Sequence, residues 1–225
     1  MLITGFAAGM FQTNCYLVAP GDGGECVVVD PGQDAVEPLR EVLTQHGLTP
    51  VAVLLTHGHL DHTWSVAPVC AEFSIPAYIH PEDRHMLADP GRGMGPGMAR
   101  IIGDAEFVEP DEVIALAQGD HLELAGLAFD VLHTPGHTQG SVDFLTTAQT
   151  EQGPVPVALT GDTLFAGSIG RSDLPGGDHQ QLLDSIAARL LPLDEQTVVL
   201  PGHGGQSTIG RERATNPFLA GLSVG

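Results

Sequence analysis

Short apolar runs separated by glycine, proline and acidic turns make up the chain. Leu2 to Phe6, Cys15 to Val18 and Cys26 to Asp30 are three such runs. Their length, their β-branched content and the Gly-rich turn at Gly21 to Gly24 predict antiparallel strands joined by tight turns. Pro31-Gly32 ends the third. Asp34 with Glu37 then predicts an N-cap pair for a helix through about His46, and Leu39, Val42, Leu43 and His46 give that helix one apolar face. Val51 to Leu55 is continuously apolar, the pattern of a strand covered on both faces. Trp64 to Phe73 has helical spacing, Ala77 to His80 is strand-like, and Pro81 opens a short helix.

The second half repeats one construction, a short apolar strand that ends in a polar loop carrying a histidine or an aspartate. Phe129 to Leu132 leads to His137, Val157 to Leu159 leads to Asp162, and Thr197 to Leu200 leads to His203. Between these, Ser141 to Thr146 alternates as a strand, and Asp178 to Leu191 places Leu182, Leu183, Ile186 and Leu190 on one helical face. The run Asp89 to Gly97, D-P-G-R-G-M-G-P-G, forms no regular element and reads as a loop, a candidate lid over a site. Strands and helices interleaved in this way predict the α/β class, with two mixed sheets packed together and helices outside. The 225 residues are enough for one such core, so a single domain over 1–225 is expected.

Composition narrows the function. Against 28 acidic residues stand eight arginines and no lysine, for a net charge of -20 that repels a phosphate backbone, so nucleic acid is not an expected partner. No apolar run has the length of a bilayer span, and the start M-L-I-T-G-F has neither the basic region nor the cleavage site of a secretory signal. No membrane association and a cytoplasmic location are therefore expected. Cys15, Cys26 and Cys70 are odd in number and widely spaced, which predicts core thiols.

The densest chemistry lies at Thr56 to His62, T-H-G-H-L-D-H, directly after the apolar run. Imidazole nitrogen and carboxylate oxygen together suit a transition-metal or zinc site. His57 and His59 lie two apart, so on an extended backbone they point to one side. Asp61 and His62 must point elsewhere, which suggests a second cluster of donors and room for two ions. Two further histidines follow Pro-Gly turns, in P-G-H137 and P-G-H203, and an aspartate sits in T-G-D162.

With Asp30 before them, these residues in this order resemble the metallo-β-lactamase superfamily, whose motifs run Asp, H-x-H-x-D-H, His, Asp, His. The resemblance covers the whole chain and implies the αββα sandwich of that fold. Carried over position by position, it makes His57, His59 and His137 the ligands of one metal and Asp61, His62 and His203 those of the other. Asp162 bridges the two, and Asp30 orients the ligand loop from behind. The implied cofactor is two divalent ions, zinc foremost, with iron or manganese as alternatives. The run Gly161 to Gly177 and the ending G-R-E-R-A-T-N-P-F-L look like the glyoxalase II-like hydrolases. That likeness implies hydrolysis of a small-molecule hydroxyacyl thioester by a metal-bridging hydroxide, with Asp61 and Asp162 as the catalytic carboxylates. Full-length glyoxalase II carries a C-terminal helical domain, and only about 20 residues follow His203 here, so the short single-domain members are the better comparison. The alternative within the superfamily is a persulfide dioxygenase with a mononuclear iron. A β-lactamase is disfavoured because such enzymes place cysteine or serine where Asp162 stands.

Other polar residues have plainer expected roles. Arg171, two before Asp173, predicts an ion pair or loop anchor. Tyr78 and His80 predict a strand with one aromatic turned inward. His46, His85, His121 and His179 predict exposed or capping positions. His133 predicts a core or supporting group, and Cys15 a buried thiol.

Overall fold

The computed structural model describes residues 1–95, 102–103, 105–150 and 153–222. Two six-stranded sheets carry the architecture. The first has the order β1-β2-β3-β4-β5-β6. Its strands are β1 (Leu2–Ala8), β2 (Thr13–Ala19), β3 (Glu25–Val29), β4 (Thr49–Leu54), β5 (Ala77–Ile79) and β6 (Val113–Ala115). The first three pair antiparallel, as the turns predicted, and β3 to β6 run parallel. The second sheet has the order β14-β13-β10-β9-β8-β7. It is built from β7 (His121–Leu124), β8 (Leu127–His133), β9 (Val142–Thr150), β10 (Gly153–Gly161), β13 (Val198–Pro201) and β14 (Ser207–Thr208). Its pairings are antiparallel except for the parallel β10 and β13. A small hairpin, β11 (Leu164–Phe165) with β12 (Ser168–Ile169), lies between β10 and the last helices.

Strand periodicity sorts the side chains into three apolar layers. Val27, Val29 and Leu54 turn toward Phe129, Val131, Phe144 and Leu159 of the other sheet and form the central core. Cys26, Val28, Val53 and Leu55 face the opposite way, onto helices α1 (Val36–His46) and α3 (Val66–Phe73). Val199 of β13 packs outward on Leu182, Ile186 and Leu190 of α5 (His179–Ser185, widening into a π-helical turn over Ile186–Leu190) and on Ile209 of α6 (Ile209–Thr215). The result is the expected αββα sandwich. The unbroken apolar run into Leu55 follows from its place between two of these layers.

Two local expectations need correction. Asp34 and Glu37 do not cap α1: Ala35 is the N-cap, no side chain bonds there, and Asp34 stands outside the helix at φ 56°. A tertiary contact does the work instead, because the Ala35 N–H donates to Ser65 Oγ at 3.2 Å. The helix predicted from Trp64 starts two residues late as well. A short α2 (Leu60–Thr63) ends before Trp64, and α3 begins at Val66. Ser65 is held out of both, since its N–H donates to Pro31 O at 3.0 Å while its hydroxyl serves Ala35. Of the candidate lid, Pro90–Arg92 form a single 3-10 turn, and residues 96 and 97 lie outside the described residues. Among the described residues no helix is long and apolar enough to cross a membrane.

Candidate metal centre

The candidate ligands stand on one edge of the sandwich, most of them in loops after strand ends and Asp61 and His62 on the short helix that follows β4. β4 delivers the chain to His57 and His59, and α2 turns Asp61 and His62 in from beneath them. The loop between β8 and β9 carries His137, β10 leads into Asp162, and β13 leads into His203. The two sheets are joined at this edge by the Val142 N–H, which donates to Thr56 O at 2.8 Å. β2 holds the His203 loop from the other side: Asn14 Nδ2 donates to Pro201 O and Gly204 O, both at 3.0 Å, and Tyr16 Oη donates to Pro201 O at 2.9 Å. The glycine before each late histidine is a packing requirement. A Cβ on Gly136, which sits at φ 133°, would lie 2.2 Å from the Leu182 nitrogen, and one on Gly202 would lie 2.4 Å from Asp162 Oδ1.

The seven side chains converge. His137 Nε2 lies 2.9 Å from His59 Nδ1 and 3.2 Å from His57 Nε2. His203 Nε2 lies 3.3 Å from His62 Nε2 and 3.1 Å from Asp61 Oδ2. Asp162 stands between these groups, with Oδ1 3.3 Å from His62 Nε2 and Oδ2 3.6 Å from both His137 Nε2 and His203 Nε2.

The far side of three rings is spoken for. Thr56 Oγ1 donates to Asp30 Oδ2 at 2.6 Å and receives His57 Nδ1 at 3.1 Å. His62 Nδ1 donates to Asp30 Oδ2 at 2.9 Å, and His137 Nδ1 donates to Arg171 O at 2.6 Å. For His57 and His137 these partners hold the ring proton on Nδ1, so their facing Nε2 atoms present lone pairs to each other. Lone pairs crowded at about 3 Å repel unless a cation sits among them. Asp162 Oδ1 is buried without a hydrogen-bond partner, a second sign that a cation belongs there. The donor set therefore fits divalent metal, through His57, His59 and His137, through Asp61, His62 and His203, and through His57, His62 and Asp162.

Without a cation, protons balance the site. Burial, reinforced by the neighbouring imidazoles, drives His57 well below its ordinary pKa, and it takes His59 to about 3. Burial acts the same way on His62, but Asp162, Asp61 and Asp30 outweigh it and hold that ring protonated. For Asp61 and Asp162 burial works upward and is overcome by the surrounding imidazoles, which keep both carboxyls ionised. Metal entry must displace the His62 proton, so binding weakens as pH falls.

Asp143, buried on β9, stands in no motif of the sequence. Burial drives its carboxyl well above the ordinary value, with the hydroxyls of Thr163 and Thr134 pulling weakly the other way. These threonines, bonded to each other at 3.1 Å, lie beside the loops of Asp162 and His137. A folded-state pKa raised above the unfolded one contributes stability that is complete below about pH 4 and lost as pH rises toward the folded value. Asp143→Asn, a neutral isostere, should therefore flatten the pH dependence of thermal unfolding, with the variant gaining on wild type from pH 5 to 8. Parallel curves would contradict this.

The plainer residues have definite partners. Arg171 makes a bidentate pair with Asp173 at 2.8 and 2.9 Å. His46 pairs with Asp22 and His121 with Asp130. Tyr78 packs on the central core, and His80 stacks on His133, whose Nε2 donates to Gln139 O at 2.9 Å. His85 and His179 are exposed, and Cys15 is fully buried. The ending that looked like a family signature is an anchor. Buried Glu212 receives Ser207 Oγ and the Gly167 N–H, tying the last helix to the β11–β12 hairpin.

A two-sheet sandwich with this histidine and aspartate cluster at its edge defines a metallo-hydrolase type of protein. The chain belongs to the metallo-β-lactamase superfamily, whose sequence profile matches residues 8–203. Its relatives include the hydroxyacylglutathione hydrolase GloC of Haemophilus influenzae, 35% identical over 93% of each chain. The crystal structure of the BLEG-1 B3 metallo-beta-lactamase superposes with a TM-score of 0.84 at 42% identity, covering 98% of this chain and 100% of that one. TTHA1623 in a di-iron-bound form gives a TM-score of 0.77 at 40% identity, covering 96% and 100%.

Proposed function

We propose that the protein is a thioester hydrolase of the glyoxalase II-like kind, holding two divalent ions and acting on a hydroxyacyl thioester. The observation that carries this reading is where the Gly161 to Gly177 run lies. Phe165, Ile169, Arg171 and Leu174 from that run wall a cavity of about 500 Å³ whose floor is His59, Asp61, His137, Asp162 and His203. The stretch that resembles the thioesterases thus lines the cavity beside the candidate ligands, which supports this reading. The GloC relative is named for such a reaction.

His57, His59 and His137 would hold one ion and Asp61, His62 and His203 the other, with Asp162 shared. When bound, a metal pair lowers the pKa of water and polarises a carbonyl oxygen. The chain's own groups do the rest. Asp61, which faces the cavity 3.1 Å from His203 Nε2, would hold its ion and accept a hydrogen bond that orients the attacking water. Phe11, Met94, Phe165 and Leu174 shield the acyl carbon from bulk solvent. The C–S bond releases a thiolate, a weak enough base to leave without a dedicated acid.

The test is a substrate panel with the metal-loaded protein, pairing S-lactoylglutathione with acyl thioesters of uncharged thiols. Hydrolysis of at least one is expected. The likeness to BLEG-1 supports β-lactam opening as a second reading, and nitrocefin turnover with no thioester cleavage would replace the first by the second. Oxygen uptake with a glutathione persulfide and one iron per chain would instead indicate the dioxygenase.

A further inference from the structure

A buried carboxylate outside the seven-residue cluster joins the two loops that carry His57, His59 and His137. Asp83 lies in α4 (Pro81–Arg84) and is 1% exposed. Its Oδ2 accepts the Gly58 N–H at 2.8 Å and the Thr138 hydroxyl at 2.6 Å, and its Oδ1 accepts the Gly140 N–H at 2.8 Å. Gly58 sits between His57 and His59, and Thr138 follows His137. Both loops are shaped around this side chain. A Cβ on Gly140 would stand 2.6 Å from Asp83 Cγ, and one on Gly58 would stand 2.8 Å from Asp83 O and 3.0 Å from Asp83 Cβ. Ser141 Oγ completes the arrangement, receiving the Thr138 N–H at 3.1 Å and meeting Thr138 Oγ1 at 2.8 Å.

Asp30 plays a different part. It bonds to Thr56 and His62 and makes no bond to the His137 loop. His57 and His59 come from one sheet and His137 from the other, and their separation decides whether three imidazoles meet one ion. We infer that Asp83 is the positioning residue for the His57, His59 and His137 metal position, setting its affinity by clamping the loops of both sheets. Two backbone N–H donors and a hydroxyl converge on one carboxylate, and such charge-assisted bonds are short and directional. Partners behind metal ligands typically change metal affinity about 10–100-fold when removed.

This inference rests on the proposed two-ion site, and chelator competition separates the two. The purified holoprotein would be titrated with EDTA, and the ions remaining per chain counted by elemental analysis. Asp83→Ala is expected to give up one ion at about 10–100-fold lower chelator than wild type while keeping the other on the wild-type curve. Thr138→Val, which removes one of the three bonds and leaves the carboxylate in place, should shift the same ion in the same direction by less. Wild-type release curves in Asp83→Ala would overturn the inference. So would parallel loss of both ions together with a lower melting temperature in Asp83→Ala and Thr138→Val alike, which marks general loosening. A wild type carrying one ion would overturn the two-ion reading alone. Early release of that single ion from Asp83→Ala would still support the clamp, and unchanged release would overturn it.

Discussion

Asp162→Ala should strip most of the metal from the purified protein and lower hydrolysis by more than about a hundredfold, beyond the 10–100-fold typical of losing a group behind a ligand. Asp162 reaches both histidine groups, with Oδ1 toward His62 and Oδ2 toward His137 and His203. Without it, Asp61 is the one carboxylate left in the seven-residue cluster, with Asp30 behind His62, and the facing lone pairs lose the anion that would offset two cations. Asp162→Asn keeps the shape and loses the charge, so it should fall between. Elemental analysis decides the matter: two ions retained per chain in Asp162→Ala would contradict it. A melting temperature for the chelated variant close to that of chelated wild type would show that the fold survives.

Asp30→Ala should be costly in two ways that can be measured separately. Asp30 is 2% exposed and accepts the Thr56 N–H, the Thr56 hydroxyl and His62 Nδ1. Truncation leaves buried donors unpaired, at a cost of roughly 2–4 kcal/mol in stability. It also frees the His57 and His62 rings to turn, which should weaken metal binding by about 10–100-fold. Asp30 stands at φ 51°, where alanine adds backbone strain but asparagine fits well. Asp30→Asn should therefore recover part of the stability while still weakening the metal, since its amide places an N–H against one of the donors. Denaturant unfolding of chelated protein reports the first effect and chelator competition reports the second. Equal losses in both measurements for Asn and Ala would refute the separation.

Much of the fold was legible because its signals are local. Val51 to Leu55 read as a doubly covered strand from its unbroken apolar character, and the structure puts Val53 and Leu55 into one layer and Val51 and Leu54 into the other. Leu182, Ile186 and Leu190 announced a helix whose apolar face meets β13. The failures came where a distant partner outbid a local preference. Asp34 and Glu37 have the chemistry of a helix start, yet Ser65, thirty residues away, supplies the bond to Ala35. The same serine holds the start of the helix predicted from Trp64 back to Val66.

The site divides along a similar line. Seven residues with metal-binding side chains were visible because their types, order and Pro-Gly settings are written in the chain. Of the groups that aim them, Asp30 was visible in the same order of motifs and Asp83 was not. Asp83 lies in an ordinary short helix, and no neighbour in sequence marks it. Arg171 offered its guanidinium to sequence reasoning, but what it gives His137 is a backbone carbonyl. The amino-acid sequence by itself determined the donor chemistry and the layers, because side-chain type and periodicity are local properties. Only the tertiary structure decided which lone pairs face one another and which buried carboxylates hold them there. Those relations join residues from different strands and sheets, and they exist only once two faces have packed.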